Sequence, residues 1–147
     1  MAVIDASVYI ALVNAHETEH AGSWAWFEQA KRAEESVVAP VILLAEVAAA
    51  LSRGMGDPTL AHRVAQQLAR SEAIELIQIT KAMAERAAEI AAEHRIRGCD
   101  AVYVALADQL SEILVTLDRQ QLERGAALVT VRAPWELSRA HSEAQGR

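Results

Sequence analysis

Residues 113–118 read Ile-Leu-Val-Thr-Leu-Asp. Five aliphatic or β-branched positions in a row, with no polar alternation, are what a strand covered on both faces presents. That run ends directly in an acid. The start of the chain repeats the pattern in shorter form, Ala2-Val3-Ile4 running into Asp5. Three more runs predict strands: Ser36-Val37-Val38-Ala39, Ile74 to Ile79, and Ala127 to Val131.

Between these runs the apolar period changes from continuous to helical. Ser7, Ile10, Ala11 and Asn14 mark a first helix, and Trp24, Phe27 and Ala30 a second after a polar break at His16 to His20. Pro40 suits the first turn of a third, where its missing N–H costs nothing, with Leu44, Val47, Ala48 and Leu51 behind it. Asp57-Pro58-Thr59 starts a fourth, continued by Leu60, Val64 and Leu68. Thr80 caps a fifth through Met83, Ala87, Ile90 and Ala91, ended by Gly98, and Asp100 opens a sixth over Ala101 to Leu110. Strands separated by helices of this length predict a parallel sheet sandwiched between helices, an α/β fold. The chain carries no internal repeat or linker, so residues 1–137 read as one domain and 138–147 as a polar tail.

Composition agrees. Of 147 residues 31 are alanine, which favours helix and lets a helix approach its neighbour closely. A single cysteine, Cys99, makes no internal disulfide. Met1-Ala2-Val3-Ile4 lacks a charged-then-apolar leader pattern. The longest apolar stretch, Val37 to Leu51, is interrupted by Pro40 and Glu46 and falls short of the ~18–20 residues that span a bilayer. The expectation is a cytoplasmic protein with no membrane contact. Net charge is −6, and the 12 arginines and two lysines form no basic stripe, so any nucleic-acid role must rest on a site rather than on overall charge.

Four acids stand apart. Asp5 and Asp118 each follow an apolar strand, where ligands bind in open α/β sheets, though each also suits a turn or a helix cap. Glu46 is the only charge between Pro40 and Ser52, and its helical neighbours Ile42, Leu43, Ala49 and Ala50 offer no cation. It lies either on a narrow solvated stripe or in a polar site. Asp100 precedes the apolar helix Ala101 to Ala107, again without a basic residue at i+3 or i+4, and the helix dipole alone favours an acid there. If the four converge, each like-charged pair near 4 Å costs up to ~4 kcal/mol. A divalent cation would relieve that repulsion, and hard oxygen donors select Mg²⁺ or Mn²⁺.

Asp5-Ala6-Ser7 after the first strand, Glu46 after Pro40, Arg97-Gly98-Cys99-Asp100-Ala101 heading an Ala-rich helix, and Leu114-Val115-Thr116-Leu117-Asp118 together resemble the PIN-domain ribonucleases, most closely the VapC-type toxins of toxin–antitoxin pairs. The resemblance runs from Val3 to about Trp135. It implies a five-stranded parallel sheet between helices and metal-dependent endonucleolytic cleavage of RNA. Asp5, Glu46, Asp100 and Asp118 would be the catalytic carboxylates holding one or two Mg²⁺ or Mn²⁺ ions, Asp118 directly or through water. Ser7 and Thr116 match the hydroxyl residues beside the first and last acids and would orient them. A small antitoxin and a second copy of the chain are the implied partners. Arg97 and Arg119 are candidate contacts to RNA phosphate, or else solvated helix ends.

Two other readings compete. A PIN-like scaffold that binds partners without cutting RNA would share the fold. His16-Glu17-Thr18-Glu19-His20 satisfies the H-E-x-x-H pattern of zinc peptidases, but its segment is short and polar, and the position six past His20 is Trp26 rather than a third histidine. Trp24, Trp26 and Phe27 suit core packing or a groove for a partner helix better than a base-stacking surface, and Tyr9 and Tyr103 suit core or rim.

Overall fold

Ala2–Ile4 (β1), Val37–Pro40 (β2), Glu75–Ile77 (β3), Ile113–Val115 (β4) and Val131–Arg132 (β5) form one sheet in the computed structural model of the chain, which describes residues 1–138. The strand order is β3-β2-β1-β4-β5, and every neighbouring pair is parallel. Val3 sits at the centre, in register with Val38 on one side and Leu114 on the other. The helices are Ala6–Val13 (α1), His20–Arg32 (α2), Leu43–Met55 (α3), Pro58–Ala69 (α4), Lys81–His94 (α5), Gly98–Leu110 (α6) and Arg119–Arg124 (α7). Of the expected tail, all but Ser138 lies outside the described residues.

α6 explains the alanine content best. It packs across β1, β2 and β4, and Ala101, Ala105 and Ala107 are buried beside Tyr103, Val104 and Leu106. Methyl side chains at those positions let the helix axis come close to the strands, and Tyr103 and Leu106 fill the space on either side. α3 pairs with α4, and α5 with α6. Asp57 caps α4 by accepting from Leu60 N at 2.9 Å, and Thr80 caps α5 by accepting from Met83 N at 3.1 Å, as their positions predict.

Several boundaries differ from expectation for local reasons. Pro40 closes β2 instead of opening a helix. It pairs in register only with Ile77 of β3, where a missing N–H is tolerated, and Val41 N continues that edge by donating to Ile77 O. α5 ends at Arg95, whose φ of 53° is left-handed, and Gly98 begins α6 rather than ending α5. Ala127 belongs to a single 3₁₀ turn over Gly125–Ala127, so β5 is Val131–Arg132 and not Ala127 to Val131. Gly125 packs so close to β5 that a Cβ there would meet Val131 at 3.3 Å, which fixes the turn just before the strand.

The winding places the site. From β1 the chain moves to β2 and β3 on one side, then returns to β4 and β5 on the other. The direction of winding therefore reverses between β1 and β4. In open α/β sheets the crevice at such a reversal, beyond the carboxyl ends of the strands, is where ligands bind.

Candidate active site

Asp5 leaves β1 at that crevice and caps α1, its Oδ1 accepting from Val8 N at 3.3 Å. Capping and site-lining, alternatives in the sequence, are here one role. The same holds for Asp118, which follows β4 and caps α7 by accepting from Gln121 N at 3.1 Å. Asp100 occupies the first turn of α6, and Glu46 the first turn of α3. All four acids line one open pocket of about 530 Å³, together with Ser7, Arg97 and Cys99. Its remaining wall is apolar, built largely from Ile10, Ile42, Ala45 and Ala49, with Arg53 at one side. Glu46 thus belongs to a polar site and not to a solvated stripe.

The Asp5 carboxylate is held by four donors. Ser7 Oγ donates to Oδ1 at 2.6 Å, Thr116 Oγ1 to Oδ2 at 2.5 Å, and Gln121 Nε2 to Oδ2 at 2.7 Å, beside the Val8 amide. Four bonds match the lone-pair capacity of a carboxylate. Ser7 and Thr116 also bind the far strand end. Ser7 Oγ accepts from Leu117 N at 2.9 Å, and Thr116 Oγ1 accepts from Asp118 N at 2.9 Å. The two hydroxyls therefore tie Asp5 to the loop that carries Asp118, as positioning groups for these acids should.

Arg97, though an exposed side chain, turns its guanidinium to the cluster. Its Nε donates to Asp100 Oδ2 at 2.7 Å and a terminal nitrogen donates to Asp118 Oδ2 at 2.9 Å. Arg119, the first residue of α7, is exposed and does not line the pocket. Gln121 is the residue that sequence reading missed. It is fully buried, and its amide bridges Asp5 and, at 3.4 Å, Asp100 Oδ1. A glutamine in a six-residue helix carries no composition or spacing signal; only the fold brings it to β1.

Burial without a full set of counter-charges pushes the acids upward. Burial raises the Asp5 carboxyl to about 6, against the pull of its hydrogen bonds from Ser7, Thr116 and Val8 and with a further push from Asp100. Glu46 rises through burial, then through the negative charges of Asp100 and Asp5, opposed by Arg97 and the Cys99 thiol. Asp100 rises by burial despite Arg97. Tyr103, buried beneath the cluster, has its phenol raised by burial and by the same acids. Among the described residues, Glu46 Oε1, Tyr103 Oη and Gln121 Oε1 are buried without a hydrogen-bond partner.

No three carboxylate, histidine or cysteine side chains of the described residues stand close enough together, in this arrangement, to hold a metal ion. Arg97 takes an oxygen each from Asp100 and Asp118, and Asp5 is saturated, so the oxygens face these donors. The donor set nevertheless fits a divalent cation: hard oxygens only, four acids against one paired arginine, and an orphaned oxygen on Glu46. The H-E-x-x-H pattern does not make a zinc site. His16 lies in an exposed turn, only His20 is helical, and His20 Nδ1 is 2.6 Å from Ala11 O. Trp26 and Phe27 are core residues, whereas Trp24 is 47% exposed and stacks on His20. No described helix is long and apolar enough to cross a membrane.

The chain matches the family model of the PIN domain over residues 2–128. No curated protein matches it in sequence. Its fold is shared by solved structures at low identity. One is VapC20 of Mycobacterium tuberculosis, a sarcin–ricin loop cleaving toxin (TM-score 0.70, 19% identity, 86% of this chain and 95% of that one). A second is a toxin–antitoxin complex from Klebsiella pneumoniae (TM-score 0.65, 19% identity, 91% and 98%). A third is FitAcB from Neisseria gonorrhoeae (TM-score 0.70, 19% identity, 93% and 100%).

Proposed function

The chain belongs to the PIN-domain family, and from that premise we propose that it is a metal-dependent endoribonuclease, the toxin of a toxin–antitoxin pair. One observation carries the reading: Asp5, Glu46, Asp100 and Asp118 line a single pocket at the winding reversal of a parallel sheet, with one arginine paired to them among the described residues. Gathering four acids, with Asp5 and Asp100 buried, without enough cations destabilises the fold, and sites that do so are functional-site candidates.

Asp5, Glu46 and Asp100 would hold one or two Mg²⁺ or Mn²⁺ ions, with Asp118 bound directly or through water. The metal, when bound, supplies an activated water and neutralises charge on the leaving oxygen. The chain's residues do the rest. Ser7, Thr116 and Gln121 fix the Asp5 carboxylate, and Gln121 holds Asp100 at a set distance from it. Glu46, raised by burial and with a free buried oxygen, is suited to take a proton at Oε1. The apolar wall of Ile10, Ile42, Ala45 and Ala49 limits water beside the acids. Arg119 at the exposed start of α7, and Arg97 when not paired with the acids, are proposed contacts to RNA phosphate.

Partners follow the same reading. A small antitoxin is proposed because a similar fold occurs in a toxin–antitoxin complex, and a homodimer is proposed as the active assembly. RNA as substrate puts the activity in the cytoplasm.

The test is cleavage of a mixed RNA pool by purified protein with Mg²⁺ or Mn²⁺, with Asp5→Ala and Asp100→Asn as controls. Cleavage that stops with EDTA and with both substitutions supports the proposal. Cleavage that survives either points to another activity. Absence of cleavage under every metal condition, with retained capture of a small partner encoded beside it, would make the chain a non-catalytic PIN-like binding module.

A further inference from the structure

We propose that Arg97 is a resident counter-cation of the acid cluster, which holds Asp100 and Asp118 in the metal-free protein and must give them up when the metal binds. The proposal rests on the metal-dependent reading above and concerns how that site is loaded.

Arg97 is the N-cap of α6 but makes no capping bond with its side chain; the guanidinium turns instead to the acids. It reaches Asp100, three residues on, and Asp118, 21 residues on, with one oxygen of each carboxylate committed to it at 2.7 and 2.9 Å. Both bonds are charge-assisted, the stronger kind. Both acids are on the proposed ligand set, and neither has another cation within ion-pair distance among the described residues. The other oxygen of each acid already accepts from Gln121, at 3.1 Å on Asp118 Oδ1 and 3.4 Å on Asp100 Oδ1, so a metal ion at about 2.0–2.1 Å would contend with the guanidinium for room and lone pairs at Oδ2. Metal and arginine therefore compete for Asp100 and Asp118.

Release does not disturb the core. The Arg97 side chain is 67% exposed, so it can leave the acids without opening any packed surface. The occluded state lowers apparent metal affinity by the fraction of molecules whose acids are free. Arg53 supplies a control from the same pocket. It lines the wall, carries the same charge, and makes no ion pair or hydrogen bond among the described residues. A general field effect would appear at both arginines, whereas competition for the acids appears only at Arg97.

The measurement is Mn²⁺ binding by calorimetry to EDTA-stripped protein, beside thermal unfolding with and without metal, for wild type, Arg97→Ala and Arg53→Ala. Two ion pairs, one to the buried Asp100 and one to the partly exposed Asp118, account for a tightening of Mn²⁺ binding by roughly three- to tenfold in Arg97→Ala. Arg53→Ala is expected to change it by less than about twofold, since its exposed charge is solvent-screened and makes no ion pair with the acids. Without metal, Arg97→Ala melts below wild type because the acids lose their counter-charge; with saturating metal the gap closes. In wild type, a Mg²⁺ titration followed by NMR moves the Arg97 Nε–H resonance from a bonded to a solvated position. An unchanged or weaker affinity in Arg97→Ala, or an equal gain in Arg53→Ala, overturns the competition while leaving the metal site intact. If none of the three proteins binds Mn²⁺, the metal-dependent reading fails and this inference with it.

Discussion

Replacing Asp5 by Asn should make the metal-free protein more stable at neutral pH while removing its ability to hold metal. Asp5 is 3% exposed, and its carboxyl is raised from 3.8 to about 6. Between those values the folded chain keeps a proton on Asp5 that the unfolded chain has released. Stability therefore falls as pH rises through this window and is flat above it, and a shift of this size corresponds to about 3 kcal/mol. Asn carries no proton to lose. Its Oδ1 keeps the donors Ser7 Oγ and Val8 N, while its Nδ2 replaces the oxygen that accepts from Thr116 and Gln121. Gln121 can turn its amide so that the orphaned Oε1 accepts from Nδ2, but this gives up its 3.4 Å bond to Asp100 and leaves Thr116 without its acceptor, a mismatch of roughly one to two hydrogen bonds, about 1–2 kcal/mol. The net gain above pH 7 is about 1–2 kcal/mol, or a rise in melting temperature of roughly 2–8 °C. Urea unfolding of EDTA-treated wild type and Asp5→Asn at pH steps from 4 to 7.5 measures it. The difference between the two should grow with pH by about 3 kcal/mol and level off above about 6.5. The growth does not depend on how well Asn packs. A pH-independent difference would refute the account of Asp5 as a buried acid that is ionised at an energetic cost.

Three further outcomes are expected. Thr116→Val removes the donor at 2.5 Å from Asp5 and the acceptor of Asp118 N–H, so urea unfolding at pH 7.5 should show a loss of roughly 2–3 kcal/mol with an unchanged slope. Glu46→Gln should leave the metal-free stability within about 1 kcal/mol of wild type, since Oε1 has no partner to lose. The same variant should weaken Mn²⁺ binding by at least about tenfold in calorimetry and abolish RNA cleavage. Two glycines at the end of α3 should respond oppositely in thermal unfolding, with cleavage unchanged. Gly56 has φ of +64°, so Gly56→Ala costs about 1 kcal/mol. Gly54 is helical with open space around a Cβ, so Gly54→Ala gains roughly 0.5–1 kcal/mol.

The centre of the sheet was legible because β1, β2 and nearly all of β4 are buried on both faces and so read as continuous apolar runs, from Ala2-Val3-Ile4 to Ile113-Leu114-Val115. Helix starts with side-chain caps were equally legible, at Asp57 and Thr80, because the cap is a local bond between residues three apart. Errors fell where a long-range contact decides a local conformation. Pro40 looked like a helix start, but its place is set by pairing with Ile77. Ala127 looked like strand, but Gly125 against Val131 sets a tight turn there. Gly98 looked like a helix end, while the left-handed residue that ends α5 is Arg95, a conformation no side-chain preference announces.

The site divides along the same line. Acids could be read because isolation is itself a signal: Glu46 among Ile42, Leu43, Ala49 and Ala50, Asp100 before an apolar helix. Of the groups that orient them, Ser7 and Thr116 could be read from the resemblance, whereas Gln121 and the neutralising role of Arg97 could not, because their contacts come from elsewhere in the chain. Thr116 reaches Asp5 across 111 positions and Gln121 across 116. Arg97 lies three residues before Asp100, and its neighbour in sequence suggested a solvent-facing phosphate contact. Its pairing with Asp118 depends on α6 and α7 starting at the same end of the sheet. The net charge of −6 follows from this arrangement. Without the four acids, the remaining 16 acidic residues face 14 basic ones, so four of the six excess negative charges stand on residues of one pocket. A protein that needed those acids only as caps at Asp5 and Asp118 could have used Ser or Asn at about equal stability. Retaining a buried carboxylate at Asp5, at a cost near ~3 kcal/mol above pH 6, is what the proposed cation-binding role would account for and capping alone would not.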